Sequence, residues 1–298
     1  MKNTGLANRL FDISNFIVLM LLSLSIVLPF VYMLSISLSN PVQVGLYQVG
    51  LIPRGFNWKS YETVFQDNQI LLSYWNSVRY TMLGTILVLL IGCLTAYPLS
   101  VNRFKARRPL SILFTFTMFF SGGLIPSFML LKNLSLLDTI WAITLPAAFS
   151  FWNIVILRTN FQAMPQELYE SAFIDGANDW QILFRIVLPL SKAILATIAL
   201  FASVGLWNAY FGPLMYLTSP EMQPLTIILR RILLANEVLS QGALDQANSM
   251  EIDPVASAGR MMSIRMATIF VTIGPIVLIY PFVQKYFVQG VLVGSVKG

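Results

Sequence analysis

Six apolar stretches, each long enough to cross a bilayer, constrain this chain more than any other feature. They lie near 13–37, 79–101, 110–131, 139–160, 192–217 and 264–284. A helix needs about 20 residues to traverse the hydrocarbon. In lipid, every backbone polar group must be satisfied within the spanning structure. Runs of this length predict an all-α, polytopic membrane protein with six transmembrane helices and a single transmembrane domain over residues 1–298. Composition agrees: only 11% of residues are charged, against about 25% in soluble domains. The first run follows Lys2 and Arg9 and is uncharged from Ile13 to Ser39. It is longer than a signal-peptide core, and no small-residue cleavage site stands out before Asn40, so it reads as a retained helix.

Lys and Arg set the orientation. An even number of spans puts both termini on one side. If that side is the cytoplasm, the inside segments hold eleven Lys and Arg against five acids, and the outside segments hold eight of each. The whole net charge of +6 then falls inside. The short loop Arg103-Phe104-Lys105-Ala106-Arg107-Arg108 carries most of this signal and reads as a topology anchor rather than a nucleic-acid patch. The expected location is the inner (cytoplasmic) membrane, multi-pass, with both termini cytoplasmic.

Several chemistries are disfavoured. There is no histidine, and the lone cysteine, Cys93, lies in an apolar run. An intramembrane enzyme would need a catalytic group the spans do not offer. An ion-coupled secondary transporter would need ionisable groups buried in its spans, and the six cores hold no Asp or Glu. No phosphate-binding Gly-rich loop ending in Lys-Ser or Lys-Thr is present, so no ATP site is expected on this chain. Pro98, Gly122-Gly123 with Pro126, Pro146, Pro213, and Gly274-Pro275 with Pro281 interrupt the spans. Broken backbone at membrane depth is tolerated where protein or a water-filled cavity satisfies it, and transporters use such breaks at their pathways.

The segment 165–189, between spans four and five, is the most informative. Pro165 suits a helix start, and Glu167 sits in the first turn, where the dipole favours negative charge. The helix should end near Asp175, with Gly176 taking the left-handed conformation. Asn178 or Asp179 should cap a second helix, which is expected to break near Pro189. Phe173, Ile174, Leu183 and Phe184 are too apolar for a free loop and suggest a docking surface. A DNA-binding helix–turn–helix is disfavoured, because the segment is tethered between two spans and its net charge is negative.

Glu170-Ser171-Ala172, Gly176 and Ile186-Val187-Leu188-Pro189 resemble the EAA loop of ABC importer permeases, with both spacings intact and Ser171 replacing the first alanine. Nearly the full length is similar to the maltose-type carbohydrate branch. The resemblance implies a permease working by alternating access and doing no covalent chemistry. It also implies a second homologous permease subunit, two nucleotide-binding ATPase subunits and an extracytoplasmic solute-binding protein. ATP and Mg would sit on the partner ATPase, with no cofactor on this chain. Glu170, Ala172, Phe173, Asp175, Gly176, Leu183 and Phe184 are implied to couple to the ATPase. The Gly-rich tail 289–298 would reach toward the ATPase interface. The extracytoplasmic segment 219–262 resembles the subgroup linked to pectin- or alginate-derived oligosaccharides.

A sugar path needs hydroxyl and amide partners with aromatic faces. Ser203, Trp207, Asn208 and Tyr210 on span five, Trp152 and Asn153 on span four, and Ser121 on span three are candidates. Trp207 and Tyr210, three apart, are expected on one helix face. An interfacial belt or core packing is the competing role for the aromatic residues. The amphipathic run 225–234 could contact the binding protein or lipid headgroups.

Overall fold

The structure is a computed structural model that describes residues 6–232, 234 and 254–295. The described chain is helical throughout, but only some spans are simple rods. Helices α1 (Leu6–Ser37) and α4 (Asn68–Ser100) are continuous, and each is long and apolar enough to cross a membrane. Between them lie the short helices α2 (Pro41–Gly45) and α3 (Lys59–Gln66).

The next three expected spans are broken. Helices α5 (Arg107–Phe119) and α6 (Leu124–Asn133) meet at 113°. Gly123 sits at that break with φ 83°, a conformation that glycine adopts without steric cost. Helices α7 (Trp141–Ala148) and α8 (Phe151–Gln162) meet at 45°. The stretch 192–217 divides into α12 (Lys192–Trp207) and α13 (Phe211–Tyr216). Pro126 and Pro213 fall in the first turns of α6 and α13, where a missing N–H leaves no intrahelical bond unmade. Residues 225–232 are helical (α14). The sixth stretch lies inside α15 (Pro254–Ser295), which carries Pro275 and Pro281. That helix takes in the Gly-rich stretch as far as Ser295; residues 235–253 and 296–298 lie outside the described residues.

Two compact units are distinguished. The first comprises residues 1–70 and 229–273. Helix α1 is apolar on all sides and exposed along its spanning stretch, as a lipid-facing rod would be. Its last turn enters a small core of Ile36, Val44 and Val49 with Met262 and Met266. The following loop is tied down by polar contacts. Asn40 caps α2 by accepting from Val42 N (2.9 Å), and Ser37 and Tyr61 share a buried 2.9 Å hydrogen bond.

The second unit comprises residues 71–228 and 274–298. Its core joins Val88, Ala96 and Leu99 of α4 with Ile154, Leu157 and Phe161 of α8, Ile198 of α12, and Ala172, Ile182, Leu183 and Val187. The last four belong to the segment singled out from the sequence, so that segment is rooted in the main core.

Polar contacts assign the connections of this unit to its two ends. At the Ser100 end of α4, Arg103 pairs with Asp179. Beyond the Asn68 end, Asn76 Nδ2 donates to the carbonyls of Glu221 (2.7 Å) and Gln223 (3.2 Å), and Tyr80 Oη donates to Met222 O (2.6 Å). Ser77 Oγ accepts from Leu225 N at 2.9 Å. The connections after α4 and after α8 thus share one end, and the start of α4 shares the other with the segment after α13, as alternating spans require. Helix α14 turns Leu225, Ile227 and Ile228 inward and leaves Arg230 and Arg231 exposed.

Candidate functional site

Residues 165–190 form a helix–turn–helix whose shape follows from local sequence. Helix α9 (Gln166–Ile174) is closed by a Schellman motif: Gly176 N donates to Phe173 O (3.0 Å) and Ala177 N to Ala172 O (2.9 Å). Gly176 has φ 79°. Asn178 then caps α10 (Asp179–Ile182) through a reciprocal capping box with Gln181, both bonds at 2.9 Å.

The expected break at Pro189 is not where the helix ends. Leu183–Val187 forms a π-helical stretch that leads into α11 (Leu188–Leu190). A proline ring clashes with the carbonyl four residues back in an α-helix. The wider π turn relieves that clash. The chain turns at Ser191 instead, and the helical run from Asp179 to Leu190 meets α12 at 81°. Ser191 is buried, and its Oγ hydrogen-bonds Asn160 Oδ1 at 3.0 Å.

The predicted coupling residues divide by face. Ala172 and Leu183 are buried and root the elbow rather than offering it to a partner. Phe173 is half-buried, under the Arg103 guanidinium, 4.0 Å from its ring centroid. Glu170, Asp175, Gly176 and Phe184 are exposed. Among the described residues the Glu170 carboxylate makes no hydrogen bond or ion pair. It lines an open cleft of about 320 Å³ with Arg103, Gln166, Tyr169 and Phe173. The exposed apolar face is formed by Ile174, 86% accessible, and by the stacked rings of Trp180 and Phe184, 6.2 Å apart. Trp180 was not among the residues the sequence pointed to: a lone aromatic in the first turn of a four-residue helix carries no periodic signal.

The predicted path residues do not converge. Helix α12 ends at Trp207, with Asn208 as its C-cap, and Tyr210 precedes α13. Trp207 and Tyr210 therefore do not share a helix face; the i, i+3 rule presumes a helix that continues. Ser203 and Trp207 line an apolar groove of about 420 Å³ with Thr81, Met82, Thr85 and Pro275. Trp207 packs edge-to-face on Tyr74, centroids 5.8 Å apart. Asn153 lines a different groove of about 400 Å³ with Ile143, Pro146, Leu206 and Pro213. Trp152 is exposed, and Ser121 lies exposed in the break between α5 and α6.

The end of this unit remote from the elbow has a clamp of its own. Asp138, at φ 58°, accepts from Thr218 N (2.6 Å), Thr218 Oγ1 (2.5 Å) and Ser219 N (2.8 Å). The Ser219 backbone bond, then the Thr218 hydroxyl, hold its carboxyl below the ordinary carboxylate range. A depressed carboxylate pKa contributes stability at neutral pH that is lost as pH falls through the folded-state value. Asp138→Ala is expected to cost about 1 kcal/mol at pH 7, a figure reduced for solvent screening, and progressively less as the pH falls through that folded-state value. Thermal melting of the detergent-solubilised protein across an acid pH series checks this; a cost that does not change with pH would rule the clamp out.

Comparison with known proteins matches the described architecture. The model of the binding-protein-dependent transport system inner membrane component matches residues 88–293. The chain belongs to that family of membrane transport permeases. It is 40% identical over 291 residues, covering 98% of this chain and 99% of the relative, to the polygalacturonan/rhamnogalacturonan transport system permease protein YtcP of Bacillus subtilis (strain 168). It is 31% identical to the lactose transport system permease protein LacG of Rhizobium radiobacter, covering 99% of both chains. Among solved structures, a chain of a bacterial ABC transporter involved in the import of the acidic polysaccharide alginate superposes with TM-score 0.85 at 32% identity. That match covers 96% of this chain and all of the other.

Proposed function

We propose that this chain is one of a pair of permease subunits in an ATP-driven importer of acidic oligosaccharides, with the elbow and both termini in the cytoplasm. An extracytoplasmic binding protein delivers the sugar. Two nucleotide-binding subunits carry ATP and Mg, and one of them engages the face formed by Ile174, Trp180 and Phe184, with Glu170 beside it. The observation that carries this assignment is the rooted elbow: a turn fixed by Gly176 and Asn178 that presents exposed apolar side chains from the main core. Such a patch marks a protein contact.

Charge supports an acidic substrate. Residues 68–133, 141–162, 192–216 and 254–295 contain no Asp or Glu but include Arg79, Arg158, Arg260 and Arg265. An excess of Lys and Arg over Asp and Glu along these segments favours anions near them. The relatives named for polygalacturonan and alginate point the same way.

The test is ATP hydrolysis by the full complex in liposomes with its binding protein. Trigalacturonate is expected to raise the rate several-fold and neutral galactotriose is not. Equal stimulation by both would remove the acidic preference. No stimulation by either would remove the carbohydrate assignment, and failure of any ATPase to co-purify would remove the coupling assignment.

A further inference from the structure

Arg103 holds both arms of the elbow at once. Its guanidinium donates to Asp179 Oδ1 at the first residue of α10 and covers the Phe173 ring of α9. Tyr97 Oη, from the last turn of α4, donates to the same Asp179 oxygen at 2.9 Å. Arg103 follows the end of α4 by three residues, and the short connection is braced by Ser100 Oγ on Tyr97 O (2.6 Å) and Phe104 N on Val101 O (3.2 Å). Little slack therefore separates Arg103 from the helix.

Helix α4 differs from the three broken spans of its unit. It runs 33 residues without a break, whereas α5–α6, α7–α8 and α12–α13 are each interrupted. At about 1.5 Å per residue it forms a rod of about 50 Å. Its other half grips the main chain of residues 221–225 through Asn76, Ser77 and Tyr80. A stiff element tied to the elbow at one end and to a loop at the other is suited to carry a displacement between them.

We propose that the Arg103–Asp179 pair is a pin that transmits motion of the elbow into α4, and through α4 to the 217–225 segment at the opposite end. The proposal rests on the elbow being the ATPase contact. Apolar packing by Ala172, Ile182, Leu183 and Val187 is not directional, so it anchors the elbow without by itself setting register. The charged fork, with the phenol beside it, fixes register. Both charged side chains are about half exposed, at 51% and 55%. Exposed pairs add little to stability, so variants fold and the effect falls on coupling. Arg103 and Asp179 are positioning residues, since neither is assigned contact with sugar or nucleotide.

The experiment uses the reconstituted complex with Cys93→Ser and a reporter thiol at Leu72→Cys, on the far half of α4. Maleimide labelling of that thiol is followed before and after trapping the ATPases with ATP and vanadate. Trapping is expected to change the labelling rate about threefold or more when the pin is intact. Arg103→Ala and Asp179→Asn should each remove most of that response, and the two together no more than either alone. Arg103→Asp with Asp179→Arg should restore it. Salt at about 0.5 M should weaken the response of the pinned protein but not that of Arg103→Ala. An unchanged response in Arg103→Ala, or no response in the pinned complex despite trapping, overturns the pin. Absence of any ATPase from the purified complex would instead identify the coupling assignment as the failed premise.

Discussion

Gly176→Val is expected to reduce uptake by more than tenfold while the chain still inserts and still assembles with its ATPase. The reason is backbone conformation rather than space. Gly176 has φ 79°, and a Cβ built on it would meet nothing within 4 Å. An L-residue in the left-handed region costs about 1–2 kcal/mol, and a β-branched one is worst placed there. The chain escapes that cost by opening the Schellman turn, which swings α10 off its axis. Asn visits the left-handed region more readily than other non-glycine residues, so Gly176→Asn should keep most uptake, with Gly176→Ala between the two. Uptake of labelled trigalacturonate into cells, normalised to membrane protein, gives the ranking. If Asn and Val are equally damaging, the glycine serves a contact with the partner and not a turn, and the lever argument loses its hinge.

That turn was legible in the sequence because its determinants are local. Gly176 ends one helix and Asn178 starts the next within three residues, and each acts through bonds to near neighbours. The place of the long apolar helices was legible for a similar reason: apolar length is a property of a segment, and α1, α4 and α15 cover their expected stretches to within a residue. What could not be read depends on partners distant in sequence. Leu183 and Phe184 are adjacent and equally apolar, yet one is buried and the other exposed, because only packing against α4 and α8 decides the face. Arg103 read as a topology anchor; Asp179, 76 positions away, gives it a second role. Pro189 reads as a helix breaker, but the π turn before it accommodates the ring and the chain turns only at Ser191. The path residues scattered because α12 stops at Trp207 with no glycine or proline there to announce it. Gly212 and Pro213 come several residues later.

Gly259→Ala is expected to be among the most destabilising single-methyl additions in the chain, for the opposite reason to Gly176. A Cβ at Gly259 would fall 1.8 Å from Pro41 O and 2.6 Å from Gly45 N. A Cβ at Gly45 would fall 2.0 Å from Val255 O. The two glycines let the backbone of α2 lie directly on the first turns of α15, a close approach that small residues permit between helices. The obstructing atoms are main chain, so no rotamer change can clear them. Helix α2 cannot drift away freely: Asn40 caps it, and Asn40 N donates to Arg54 O at 3.0 Å. Relief would have to move the whole segment from Ile36 to Asn57 or push α15 aside, exposing Val44 and Ile36. Overpacking of this kind costs about 1–3 kcal/mol and sometimes more, which corresponds to a fall of about 2–10 °C in melting temperature. Gly205→Ala is the matched control. It lies inside α12 with nothing within 4 Å of its Cβ, so the added methyl should leave the melting temperature unchanged or raise it slightly. A Gly259→Ala protein that melts with the parent would show that α2 and α15 are not in backbone contact in the bilayer.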